Sequence, residues 1–386
     1  MDSPVFRQRV TILCSTLVTG GAEMVVRALA LGLAGYGIMP RIVCIREPGT
    51  IGEEIKNGGI AVLSGISGGR RDIGAVVKLA RILAAERDSI LLCLDHHDAI
   101  FAGVLASRMA GQKHRVLCVH STGLWNRKGT FSFTDRMALP HFERVVALAE
   151  NHARYLCDDG GMDPGKIVLI RNGVDTRKFR PESDACAKAS LREELGIPRD
   201  DLVVTMAAAM RPEKNHMMLV CAASRLLGGD PGYTFLMAGD GAEAPAIRKR
   251  AAGLGIEGKI RFLGVRRDME RIFSVTDVSV LCSHPVVETL PLSILEAMSS
   301  GAAVVSTRVG SIPEMMEDGR EGILIESGDV EALARSLQSL KKDPGLRMAL
   351  GENARKRVEK DFSESGMLKA YAELFSRIAE GGKEGR

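Results

Sequence analysis

Two acids, Glu288 and Glu296, stand eight positions apart in VVETLPLSILEAMSSGAAVV (286–305). The strand-like run VLCS (280–283) precedes them and AVVST (303–307) follows, so the segment between reads as a helix linking two buried strands. The first N–H groups of a helix have no internal partner, which makes a helix start beyond a strand's carboxyl end a ready anion site. Pro291 has no N–H, so Leu292 and Ser293 are the candidate phosphate donors. An acid just inside that start can accept hydrogen bonds from sugar hydroxyls. Phosphate donors beside a hydroxyl acceptor are what a nucleotide-sugar site needs. The same residues also fit a capped surface helix, with Thr289 as N-cap, Pro291 in the first turn and Glu296 in solvent.

Other residues could complete such a site. Lys214 lies in AAAMRPEKNH (207–216), after a strand-like run. A cation aimed at a departing diphosphate stabilises the transition state more than the ground state, and Arg211 in the same loop could reach the same phosphates. Gly239, Asp240 and Gly241 follow YTFLMA (233–238), and with Ala244 they spell G-x-G-x-x-A, a turn that brings backbone amides near a phosphate or ribose. A dinucleotide fold fits that turn equally well, but it expects an acid at the end of the next strand; FLGVRRD (262–268) presents Gly264, Val265 and Arg266 first. Arg266 could stack on a base or pair with phosphate. Near the start, Gly20 and Gly21 in STLVTGGAEMVV (15–26) allow close backbone approach, with Glu23 in the first helical turn. His120 closes RVLCVH (115–120), where a satisfied strand-end histidine is an equal reading. Asp95, His96, His97 and Asp98 form a polar cluster at another strand end, read as lining or caps. In GSIPEM (310–315), Glu314 is a further acid, and an N-cap at Ser311 explains the stretch nearly as well.

These residues need a frame, and short apolar runs alternating with helical patterns supply one: parallel α/β sheets. Strands are expected at 10–15, 41–45, 61–64, 90–94, 115–119 and 144–148, with a helix from about Ala22 to Ala34 ended by Gly35 and Gly37. The second half repeats the plan at 203–208, 233–238, 259–263, 278–282, 303–307 and 322–326. Two sheets of about six strands predict two doubly wound domains, 1–180 and 181–362, divided near the polar stretch NGVDTRKFRPESDA (172–185). Open α/β sheets bind ligands beyond the carboxyl ends of their strands, where the candidate residues cluster.

A chain of 386 residues, 45% hydrophobic and 26% charged, has the composition of an ordinary globular protein with two or three cores. A net charge of +4 is too mild to argue for nucleic acid. No apolar run approaches the roughly 20 residues that span a bilayer, and the N-terminal apolar segment reads as a strand, not a signal peptide. The eight cysteines lack C-x-x-C spacing, so buried, reduced thiols in a cytoplasmic protein are expected and a zinc site is not.

The stretch ETLPLSILEAMSSGAAVV resembles the E-x7-E element of the retaining glycosyltransferase family 4, and the likeness extends over nearly the whole chain, most specifically from Val203 to Val330. It implies the GT-B fold, two Rossmann-like domains facing a central cleft, with a terminal helix (363–386) crossing back to the first. It further implies transfer of a sugar from a UDP- or GDP-sugar to a hydroxyl, with retention and no metal ion, as in polysaccharide or glycoconjugate biosynthesis. In the matching positions Glu296 would bind the donor ribose, Glu288 the transferred sugar and Lys214 the diphosphate. The family's arginine falls on Ala209, so Arg211 stands two positions off the pattern. The turn at Gly239 and Gly241 would hold the nucleobase, Gly20 and Gly21 would face the phosphates and acceptor, and His120 would lie close to the transferred sugar. Family members often use lipid-linked acceptors; the locally basic stretch Lys113, His114, Arg115, Trp125, Arg127 and Lys128 would then give peripheral contact at the inner membrane face. Three other readings stay open: a nucleotide-sugar epimerase of the same fold, an NAD(P)-binding oxidoreductase and a non-catalytic nucleotide-sugar sensor.

Overall fold

In this computed structural model, residues 8–18, 20–67, 72–94, 97–121, 131–285 and 288–381 are described. Asp95, His96, Trp125, Arg127 and Lys128 lie outside them, as do Val286 and Val287 ahead of Glu288. The chain divides into two units, Met1–Gly173 with Glu364–Arg386, and Val174–Ser363.

The first unit contains β1 (Gln8–Cys14), α1 (Gly21–Gly32), β2 (Ile38–Cys44), α2 (Gly49–Asn57), β3 (Val62–Leu63), α3 (Ile73–Ala84), β4 (Ile90–Leu94), α4 (His97–Met109), β5 (Arg115–Cys118), α5 (Phe133–Ala138), β6 (Arg144–Ala147), α6 (Glu150–Asp158) and β7 (Ile167–Leu169). Its strands order as β3-β2-β1-β4-β5-β6-β7, paired in parallel throughout. Strand β7 is absent from the sequence-based expectation. Its three residues are only half-buried at the sheet edge, so they lack the apolar run that marks the central strands. One face buries Leu13, Leu91 and Leu117 against Leu79 of α3 and Ile100 of α4. The last helix, Glu364–Gly381, belongs to this unit and packs on α1; Tyr36 donates its hydroxyl proton to the Ser365 carbonyl at 3.0 Å, and Gln8 donates to Phe375 O at 3.0 Å.

The second unit runs α7 (Ala185–Glu194), β8 (Leu202–Ala207), α8 (His216–Leu227), β9 (Tyr233–Ala238), α9 (Ala244–Gly253), β10 (Ile260–Gly264), α10 (Met269–Ser274), β11 (Val278–Leu281), α11 (Leu292–Ser299), β12 (Ala303–Thr307), α12 (Ile312–Met315), β13 (Ile323–Ile325), α13 (Val330–Lys342) and α14 (Pro344–Asp361). Its parallel sheet orders as β10-β9-β8-β11-β12-β13. Burial on both faces explains the near-continuous apolar strands, as in YTFLMA and AVVST, whose residues are all buried. The crossover from β10 to β11 sets β8 beside both β9 and β11. Loops distant in sequence therefore leave the same sheet end side by side. All eight cysteines are free, but not all are buried: Cys186 is exposed because it sits in the first turn of α7, outside the packed layers.

The loop after β8 is clamped onto the glycine turn after β9. Met210 N donates to Asp240 O (2.9 Å), and Glu243 N donates to Met210 O (3.0 Å). Gly239 has φ +136°, and a side chain there would run into the Ala208 carbonyl; one at Gly241 would run into that of Met210. Gly239→Ala is therefore expected to destabilise this unit by about 2–4 kcal/mol, combining backbone strain with overpacking. Urea unfolding monitored by circular dichroism should show the lower midpoint.

Candidate functional site

Lys214 ends a single 3-10 turn (Pro212–Lys214) opened by Arg211. Asn215 then adopts the left-handed conformation (φ 50°, ψ 50°) and passes the chain into α8; asparagine tolerates that region better than most residues. His216, the first residue of α8, is buried beneath the turn, and burial chiefly lowers its pKa to about 4, so it is neutral beside the lysine. The turn is tied to the neighbouring loop by a bond from His284 N to Glu213 O at 2.9 Å.

That bridge brings Lys214 to Glu288. Lys214 Nζ lies 2.5 Å from Glu288 Oε1, and only 4% of Glu288 is exposed. Ser283, two residues beyond β11 and fully buried, donates its hydroxyl proton to the same Oε1. The Ser283 carbonyl is fixed in turn by Thr307 Oγ1 at 2.8 Å and Ser327 Oγ at 3.3 Å. The Glu288 backbone is held by Ser311 N, which donates to its carbonyl at 3.0 Å. Gly310 (φ +55°) lies against that carbonyl so closely that any side chain would collide with it. Sequence reasoning missed Ser283 and the part of Gly310; the serine carried no motif signal, while the glycine stood in the quoted GSIPEM.

The helix α11 starts at Leu292 with Pro291 as N-cap and no capping side chain, so the amides of Leu292 and Ser293 point out of the helix start without intrahelical acceptors. Glu296 follows within that helix. It keeps some exposed surface, yet protein atoms crowd its carboxyl, and this desolvation raises its pKa to about 8, with Lys178 opposing and Glu270 adding to the rise. A solvated Glu296 on a capped surface helix is thus not what the fold builds. Its charged neighbours are Lys178 and Glu270, themselves 3.2 Å apart, not Lys214 and Glu288. Lys178, in the stretch read only as a linker, was not foreseen.

Other candidates fare differently. Arg211 is exposed over 67% of its side chain and lies 3.9 Å from Glu213. Arg266 is gripped by Asp268 through Nε (2.8 Å) and Nη2 (2.6 Å), leaving its faces for stacking and its fork occupied. Burial works against the Asp268 carboxylate, but the Arg266 bonds and Arg271 overcome it and lower its pKa. Gly239 N donates to Gly264 O (2.7 Å) and Gly241 N to Asp240 Oδ1 (2.8 Å), so both amides are engaged within the protein.

In the first unit Gly20 is the N-cap of α1, and Glu23 folds back so closely that a side chain at Gly20 would strike its carboxylate; Gly21 faces open space. His120 Nε2 lies 3.2 Å from Cys118 Sγ, which also shares a 3.0 Å hydrogen bond with Tyr371 Oη of the last helix. Burial, then Cys118, raise the Tyr371 pKa well above its ordinary value. Asp98 is held by Ser15 Oγ (2.8 Å) and Arg46 Nη2 (2.9 Å) beyond β1 and β2.

Two family models cover most of the chain: "Glycosyltransferase Family 4" matches residues 19–178 and "Glycosyl transferases group 1" matches residues 187–357. The chain belongs to this family of glycosyltransferases, a membership that favours the transferase reading over the epimerase and oxidoreductase alternatives. It is 27% identical over 302 residues, 76% of each chain, to the UDP-Gal:alpha-D-GlcNAc-diphosphoundecaprenol alpha-1,3-galactosyltransferase of Escherichia coli. It is 31% identical over 248 residues to a D-inositol 3-phosphate glycosyltransferase of Streptomyces bingchenggensis, a match spanning 62% of this chain and 54% of that relative. The crystal structure of Anabaena Alr3699/HepE in complex with UDP-glucose superposes with a TM-score of 0.85 over 96% of this chain and 100% of the other, at 21% identity, and shares the GT-B fold.

The Glu296 environment has a measurable consequence. A carboxyl at about 8 in the folded state, against 4.5 for its ordinary value, makes folding less favourable as pH rises through that interval, because the native state retains a proton that the unfolded chain loses. Glu296→Gln removes the term. Its melting temperature relative to the parent should therefore climb between pH 5 and pH 8.5, as calorimetry at matched ionic strength would register.

Proposed function

We propose that this protein transfers a hexose-type sugar from a UDP-sugar, with a GDP-sugar as the lesser candidate, to an acceptor hydroxyl with retention at the anomeric carbon. The observation that carries the reading is the pairing of half-buried Lys214 with buried Glu288, in the segment that leads into the open start of α11. Lys214 and the Leu292 and Ser293 amides would take the diphosphate, meeting its charge without a metal ion. Glu288 would grip the sugar and Glu296, able to donate or accept, the ribose. The turn at Gly239 and Gly241 would flank the base through its carbonyls, with Arg266 stacking on it and Arg211 turning in toward phosphate. Gly20, Gly21 and His120 of the first unit would serve the acceptor. The acceptor oxygen forms its bond to the anomeric carbon on the face from which the diphosphate departs. The carbon–oxygen bond to phosphate breaks, and the acceptor proton passes to a leaving phosphate oxygen. The preference for uridine draws on the E. coli relative, named for a UDP-Gal donor, and on the UDP-glucose held by the Anabaena protein.

Because the leaving group gains charge as the bond breaks, Lys214→Ala should lower kcat by roughly 10²–10³-fold while donor KM moves only a few-fold. A thermal-shift screen of nucleotide sugars, with UDP and GDP as controls, identifies the donor to assay. Parental turnover in the variant would remove Lys214 from the mechanism.

A second reading concerns the place of transfer. Phe101, Leu105 and Met109 lie one turn apart along α4 and are exposed, as are Phe133 and Met137 of α5, with Phe133 79% accessible. Exposed Arg108 and Arg136 lie on the same two helices, Lys113 follows α4, and exposed Lys78 and Arg81 lie on α3, which packs against α4. The acids of α4 and α5 are engaged at the helix starts, Asp98 with Ser15 and Arg46 and Asp135 in a capping box with Ser132. A second copy would set cations against cations, so an anionic bilayer is the better partner for this face. Among the described residues no helix is long and apolar enough to cross a membrane, so contact would be peripheral. The protein should co-sediment with phosphatidylglycerol-containing vesicles and not with pure phosphatidylcholine, and Phe133→Asp with Met137→Asp should abolish sedimentation. Equal recovery in the supernatant with both vesicle types would reject the surface.

A further inference from the structure

We infer that Glu288 and the donor diphosphate compete for Lys214, that Ser283 sets the strength of that competition, and that the competition drives out the nucleotide once the sugar has left. This rests on the transfer reading above. The geometry behind it is specific. The Lys214 ammonium and the Ser283 hydroxyl converge on one oxygen of a carboxylate that has almost no access to water. A buried carboxylate needs a counter-charge and a hydrogen-bond donor, so a diphosphate can draw Lys214 away only if Glu288 is compensated by something else. Two compensations are at hand. Ser283 stays in place, because its backbone carbonyl is anchored by Thr307 and Ser327. Hydroxyls of the donor sugar supply the other, as long as the sugar is attached. With an intact nucleotide sugar, Glu288 holds the sugar and releases Lys214 to the diphosphate. After transfer the sugar contacts are gone, Glu288 recaptures Lys214, and the nucleoside diphosphate loses its cation. The same pair therefore favours substrate over product. Ser283 is a positioning residue in this scheme: it touches neither sugar nor phosphate.

The two substitutions that test it move in opposite directions, and binding of UDP, or of GDP if the screen selects it, is the readout. Glu288→Gln keeps the shape and the Ser283 hydrogen bond but frees Lys214, so it should bind the free nucleotide roughly three- to thirty-fold more tightly and show stronger product inhibition, although transfer is impaired. Ser283→Ala leaves Glu288 more dependent on Lys214, so nucleotide affinity should fall by a similar factor, and Ser283→Thr should restore it. In a Lys214→Ala background the Glu288→Gln gain should vanish. A purely structural serine would lower the melting temperature without this paired change of sign. Unchanged nucleotide affinity in Glu288→Gln, with transfer lost in both Glu288→Gln and Lys214→Ala, overturns the competition while leaving the transfer site standing. Full transfer in both of those variants would instead overturn the transfer site itself.

Discussion

A carboxylate buried at the end of a parallel sheet must be met by a cation and a hydrogen-bond donor, and the second unit is organised around meeting Glu288. Lys214 comes from the loop after β8, Ser283 from the loop after β11, and the hydroxyl that fixes Ser283 from the end of β12. These three strands are adjacent, so the ion pair links the turns after β8 and β11, and the Thr307 hydrogen bond adds the end of β12. Partial burial makes that interaction stronger than a surface pair and makes its loss more disruptive.

Positioning is achieved by backbone laid on glycine. The Ala208 carbonyl rests on Gly239, that of Met210 on Gly241 and that of Glu288 on Gly310. At each contact a missing side chain lets two loops touch through atoms that have no rotamers. The lysine turn and the Glu288 backbone are consequently held against their neighbouring loops by main-chain contacts. The glycines after β9 resemble a ligand-contact motif, yet their amides are used inside the protein, and their most direct effect is to seat the lysine loop.

Much of the fold was legible. Central strands such as 233–238 and 303–307 are continuous apolar runs, and burial on both faces is the reason. Strand β7 escaped because an edge strand needs no such run. Of the site, Lys214 and Glu288 stood in recognisable segments, whereas Ser283 is a single polar residue after a strand, without a spacing signal. Arg266 looked available because a sequence does not display its Asp268 partner two residues on as a closed fork. Lys178 looked like linker charge, and only folding sets it beside Glu296.

By itself the sequence determined the α/β class, the presence of two sheets and the identity of the chemical groups, because strand length, helix periodicity and motif spacing are properties of short stretches of chain. The tertiary structure alone decided which groups meet. Lys214 and Glu288 are 74 residues apart and touch only because the strand order places β8 beside β11. The elevated pKa of Glu296 likewise comes from atoms of many segments excluding water around it. Pairing and desolvation depend on distances in space, and those exist only once the crossovers of the sheet have been made.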